Sequence, residues 1–224
     1  MSERVTLRAA DGHELNAYVA QPTGEPIAGL VIVQEIFGVN AHIRAVADGY
    51  AREGFLAVAP ALFDRIQSGI ELEYEGDDRL TAMSLLPKLH IDNSVADVAA
   101  AMEYAAAKTG KKVGVVGYCY GGTLAWLAAA RLRPAAAVGY YGGRIAEFAG
   151  EAPSAPVMLH FGRADAHIPA EKVAKVSAAH PEVEIYWYDG AGHAFNRDVS
   201  DSYHPEAAKL ARARTVEFLR KHLG

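Results

Sequence analysis

Lys112-Val113-Gly114-Val115-Val116-Gly117-Tyr118-Cys119-Tyr120-Gly121-Gly122-Thr123-Leu124-Ala125-Trp126-Leu127-Ala128-Ala129-Ala130-Arg131 runs from an apolar, β-branched segment through a glycine-framed turn into strong helix formers. A strand, a tight turn and a helix in that order hold the side chain at the turn exposed at the end of a buried strand. Gly117 and Gly121 are expected where passing backbone leaves no room for a Cβ. The side chain so presented is Cys119, the chain's one cysteine. The helix that follows points free N–H groups and the positive end of its dipole at the sulfur, which favours thiolate. A lone cysteine is otherwise a small buried hydrophobe; the strand–turn–helix setting argues for a nucleophile.

On either side of this stretch, short apolar runs alternate with helical patterns. Val5–Arg8 and Glu14–Val19 alternate in polarity around Asp11-Gly12, the signature of an opening hairpin. Ala28–Ile36 reads as a strand buried on both faces. Asn40 caps a helix running to about Arg52, and Gly54 ends it before a strand over Phe55–Ala59. Residues 76–110 are helical in pattern. Further strands read at 136–140, 157–161 and 183–188, with helices at 170–179 and 205–222. This alternation predicts a mostly parallel, twisted sheet with helices on both faces, in one domain spanning 1–224. Catalytic groups in such a sheet lie beyond the carboxyl ends of the strands.

Composition narrows the function. The chain has 224 residues, 51% hydrophobic and 22% charged, with a net charge of -5. That charge gives no general affinity for nucleic acid or an anionic membrane, so an anionic substrate needs a local arginine cluster. One cysteine excludes an internal disulfide and a multi-cysteine metal centre. No stretch approaches a membrane span, and Met1–Arg8 carries no apolar signal core, so a cytoplasmic monomer is expected. No dinucleotide fingerprint, phosphate-binding loop or metal set is present, so no cofactor and no metal are expected.

A cysteine nucleophile needs a base, and the base needs a carboxylate to orient it. His193 lies in Asp189-Gly190-Ala191-Gly192-His193-Ala194-Phe195, and Asp165 in Gly162-Arg163-Ala164-Asp165-Ala166-His167, each loop following a strand. The order Cys119, Asp165, His193 is that of α/β-hydrolases. Asp189 and Asp198 compete as the carboxylate. Among the other histidines, His160 falls within a strand and reads as a core residue. His167 is too near Asp165 in sequence to converge from a separate loop, and His42 and His180 read as solvated. A metal set of His160, Asp165 and His167 lacks any supporting motif. The oxyanion requires two N–H donors, assigned to Tyr120 and to Ile36 after the strand that ends near Glu35. Glu35 closes an apolar strand, so its carboxylate must be paired or face a polar cavity.

The chain resembles the dienelactone hydrolase (carboxymethylenebutenolidase) family of the α/β-hydrolase fold. The resemblance rests on Gln34-Glu35-Ile36-Phe37-Gly38-Val39-Asn40, the Gly117–Gly122 turn, Ala137-Val138-Gly139-Tyr140-Tyr141-Gly142, Phe161–Pro169 and Gly192-His193-Ala194-Phe195-Asn196-Arg197. It implies a Cys119–His193–Asp165 triad, Glu35 contacting the resting thiol, and Arg79 and Arg197 holding a substrate carboxylate, with Tyr140 also at the substrate. The implied activity is opening of a small anionic lactone, dienelactone to maleylacetate, through a thioester. Met83 and Leu86 stand where the best-known members carry a tyrosine and a tryptophan, and Tyr120 replaces the usual leucine or phenylalanine. Those departures keep open a broader carboxylesterase or thioesterase on the same triad. An amidotransferase-like domain is disfavoured because no glutamate closely follows His193; a non-catalytic binding protein would hold the lactone without turning it over.

Overall fold

The computed structural model describes residues 1–224. Strands β1 (Ser2–Arg8) and β2 (Glu14–Ala20) form the expected antiparallel hairpin. Strand β3 (Ala28–Val33) is followed by helix α1 (Ala41–Arg52), whose N-cap Asn40 accepts a hydrogen bond from the Ile43 N–H, and by strand β4 (Phe55–Pro60). Helices α2 (Gly76–Leu85) and α3 (Ile91–Thr109) lead into β5 (Val113–Tyr118), α4 (Tyr120–Arg131) and β6 (Ala136–Tyr140). The chain ends with β7 (Val157–Gly162), α5 (Ala170–Ala179), β8 (Glu184–Tyr188) and α6 (Pro205–Leu223).

The eight strands make one sheet in the order β1-β2-β4-β3-β5-β6-β7-β8, parallel from β4 onward and antiparallel at the hairpin edge. Central strands β3, β4 and β5 are buried along their whole length, which their unbroken apolar runs require. Helices cover both faces. Ala105 of α3 sits over Gly29, while Leu219 and Leu223 of α6 sit over Gly114. Gly29 pairs with Val113 and the next residue, Leu30, with Gly114. Those two positions therefore point to opposite sides of the pleat.

Two boundaries differ from expectation. Strand β3 stops at Val33 rather than Ile36, because the Gln34 carbonyl accepts from the Gly121 N–H at 3.1 Å and the Gln34 side chain accepts from the Leu62 N–H. The helical stretch 76–110 is two helices separated by a 3₁₀ turn at Leu86–Lys88, where Pro87 supplies no N–H and restricts the residue before it.

Candidate active site

Cys119 sits between β5 and α4 at φ 53, ψ -112, a conformation a side-chain-bearing residue adopts only under restraint. Its own N–H donates to the Tyr140 carbonyl at 3.0 Å, and its carbonyl accepts from the Thr123 N–H. A Cβ on Gly117 would lie 1.8 Å from the Gly121 carbonyl oxygen, and one on Gly121 would lie 2.3 Å from that of Val33. Both glycines are thus demanded by backbone, as the turn's sharpness implied.

The loops carrying Asp165 and His193 are stitched together. The Ala164 N–H donates to the Ala191 carbonyl at 2.9 Å, and the Arg163 N–H to that of Tyr188. Phe195 and Ile168 are buried beside them and anchor each loop in the core. His193 Nδ1 consequently meets Asp165 Oδ2 at 2.7 Å, while Nε2 meets Cys119 Sγ at 3.2 Å. The competing carboxylates lie elsewhere: Asp189 pairs with Arg163 and Asp198 with His42.

Burial alone would depress the basicity of His193, but its hydrogen bonds to Asp165 and Cys119 outweigh that and push its pKa up to about 10. Burial raises the Asp165 carboxyl, yet the hydrogen bond from His193 more than compensates and holds it below its ordinary range. The imidazole is thereby held between carboxylate and sulfur. The Ile36 N–H has no acceptor within the protein, and Ile36 borders the same cavity as Cys119. Tyr120 opens α4, so its N–H lacks an intrahelical acceptor.

The cavity beside Cys119 measures about 540 Å³, within the size range of small-molecule sites. Glu35, Arg79 and Arg197 border it together with Met83 and Leu86. Arg79 is exposed on α2 and has no acidic partner. Arg197 is 9% exposed, lies over the Tyr74 ring at 4.1 Å and approaches Glu35 with its Nε at 3.5 Å.

Several expectations require correction. Sγ of Cys119 has His193 as its hydrogen-bond partner; the carboxylate of Glu35, 2% exposed and without a hydrogen bond, pairs with Arg197 and makes none to the thiol. Tyr140 does not reach the substrate cavity. Its ring is fully buried and its hydroxyl is hydrogen-bonded to Thr215 of α6 at 2.7 Å, and neither residue borders the cavity. The neighbouring Tyr141, at φ 39, instead packs against His193 with ring centroids 5.1 Å apart. His167 does border the cavity. His42 and His180 are buried, not solvated. His160 is a core residue as read, held by Tyr188 and Thr215, and burial drives its pKa down to about 3. Sequence reasoning also missed Tyr74 and residues 200–202 as cavity walls; no spacing signal marked them.

Known proteins identify the family. The model of the dienelactone hydrolase family matches residues 15–223. A carboxymethylenebutenolidase of Pseudomonas putida is 36% identical over 227 aligned residues, covering 98% of this chain and 96% of that protein. The crystal structure of a Klebsiella pneumoniae protein assigned as a dienelactone hydrolase superposes with a TM-score of 0.84 at 30% identity, covering 97% of this chain and 98% of its own. A dienelactone hydrolase-like promiscuous phosphotriesterase from metagenomic libraries shares the fold, with a TM-score of 0.80 at 20% identity over 100% of this chain and 99% of its own. The chain belongs to the dienelactone hydrolase family and is a hydrolase of ester or lactone bonds.

Proposed function

We propose that the chain opens a carboxylate-bearing unsaturated lactone, dienelactone to maleylacetate, through a thioester on Cys119. The observation that carries this reading is the unbroken contact from Asp165 through His193 to the Cys119 sulfur, at 2.7 and 3.2 Å, on the wall of a cavity bordered by two arginines. The carboxymethylenebutenolidase name of the Pseudomonas putida relative supports the substrate class.

Arg79 and Arg197 fix the substrate carboxylate and bring the lactone carbonyl over Cys119. Planar guanidinium forks suit a carboxylate, and these two arginines are the only arginine or lysine side chains that border this cavity. Binding at Arg197 competes with its contact to Glu35, which frees that carboxylate to act on the thiol. The thiolate attacks, and the N–H groups of Ile36 and Tyr120 receive the oxyanion. Ring opening expels a conjugated enolate and leaves the acyl group on sulfur. His193, oriented by Asp165, then activates water for deacylation.

The test compares a dienelactone with a neutral aryl ester of similar size, and wild type with Cys119→Ala. The lactone should be preferred, and the alanine variant should be inert on both. Equal efficiency on the two substrates removes carboxylate recognition, and a turning-over Cys119→Ala enzyme removes the covalent route. A second reading, a broader carboxylesterase or thioesterase, draws on Met83 and Leu86, which line the cavity with flexible apolar side chains. A panel of p-nitrophenyl esters and acyl thioesters separates the two.

A further inference from the structure

Two imidazoles, not one, stand in this cavity, and a single carboxylate places both. Asp165 uses Oδ2 for His193 Nδ1 at 2.7 Å and Oδ1 for the backbone N–H of His167 at 2.8 Å. Ile168, 3% exposed, anchors the chain directly after His167, and Pro169 restricts it further. The two rings lie with centroids 5.5 Å apart and nearly perpendicular at 83°. His193 has both ring nitrogens engaged. His167 borders the cavity with no hydrogen-bond or ion-pair partner for its ring.

In acyl transfer the departing oxygen lies next to the triad histidine, because that imidazole must exchange a proton with it. A second ring packed against the first is then close to the same oxygen. The triad imidazole is already engaged at both nitrogens, Nδ1 with the Asp165 carboxylate and Nε2 with the Cys119 sulfur. A conjugated enolate departs without assistance. A phenoxide or alkoxide of higher basicity needs a proton as it leaves, and a histidine is the side chain whose ordinary titration suits that task near neutrality.

We propose that His167 is a second proton donor of this site, delivering a proton to the departing oxygen and extending the substrate range to esters and lactones with poor leaving groups. The inference rests on the covalent reading of Cys119 given above. As the tetrahedral adduct collapses, the carbon–oxygen bond breaks and its electron pair stays on the departing oxygen. The carbonyl re-forms as the thioester, the His167 imidazolium proton passes to that oxygen, and the proton released when water hydrolyses the thioester returns to His167 through solvent.

The test measures kcat/KM at pH 7 for wild type, His167→Gln and Cys119→Ala over a series of aryl acetates of graded leaving-group acidity. His167 is exposed, so its replacement leaves the fold intact. His167→Gln should match wild type within about 2-fold on the p-nitrophenyl ester and fall roughly 100-fold behind on the unsubstituted phenyl ester, at the lower end for general acid catalysis. Its plot against leaving-group acidity is therefore steeper. Parallel plots, whether displaced or superimposed, overturn the proposal. Turnover by Cys119→Ala overturns the covalent reading itself, so the two failures are distinguishable.

Discussion

Replacing Asp165 by Asn keeps the shape of the triad and removes the charge that holds the His193 proton. In the folded protein His193 titrates at about 10 against 6.5 for an unperturbed histidine. By linkage this difference corresponds to about 4 kcal/mol of stability at pH 7, shared between Asp165 and Cys119. His193 gains its proton affinity on folding, so the contribution is complete below pH ~6.5 and disappears as pH rises through ~10. Asp165 titrates below its ordinary range, so the pair is also lost in acid, as pH falls through the folded pKa of that carboxyl. Asp165 is the first of the contacts that raise His193, so the variant should lose about 2–3 kcal/mol at pH 7. Urea unfolding of wild type and Asp165→Asn between pH 4 and pH 10.5 checks this. The gap should be widest from about pH 5 to 7 and close toward the alkaline end. In kinetics, loss of the carboxylate that orients His193 predicts a fall of roughly 100-fold or more in kcat for dienelactone with little change in KM. A stability gap that persists undiminished at pH 10.5 refutes the electrostatic argument; full activity refutes the role of Asp165.

Tyr140→Phe removes the hydrogen bond to Thr215 and should lower stability by about 1 kcal/mol without altering KM; thermal melting and substrate titration check both, and a raised KM would return Tyr140 to the substrate site. Gly117→Ala forces a Cβ into the Gly121 carbonyl, so it should cost more than about 3 kcal/mol or abolish soluble expression. A stable, active alanine variant would contradict the geometry of the turn. Asp97, fully buried, is held by two hydrogen bonds from Arg65. Asp97→Asn strips charge from that pair and should destabilise by about 3 kcal/mol in urea unfolding; a cost below about 1 kcal/mol would show that Asp11 alone suffices for Arg65.

Much of the fold was legible because its local signals agree with one another. The apolar runs of β3, β4 and β5 are too short for helices and have no polar face, and Asn40 caps the helix it precedes. Boundaries failed where a distant partner decided them. Nothing near Gln34 reveals that its carbonyl is taken by the N–H of Gly121, and that contact ends the strand and turns Glu35 toward the cavity. The break between α2 and α3 has a local cause, Pro87, with apolar positions on both sides of it.

The site divides along the same line. Cys119, Asp165 and His193 each follow a strand of the parallel sheet, so chain order and topology suffice to place them at the same end of the strands. Tyr140 and Tyr141 could not be separated that way. They are adjacent, both fully buried, and only the left-handed backbone at Tyr141, just past the end of β6, turns its ring toward His193 while Tyr140 points to α6. Sequence proximity to Asp165 argues against His167 as a base from a separate loop, yet proximity is what lets one carboxylate hold both histidines. Glu35 and Arg197 show most clearly where pattern reading ends. A buried carboxylate 3.5 Å from a buried guanidinium, with no hydrogen bond between them, recovers little of the cost of desolvating both. On the proposed mechanism that weak pairing is useful, because a substrate carboxylate that forks onto Arg197 replaces a poor partner with a good one and releases Glu35 in the same event.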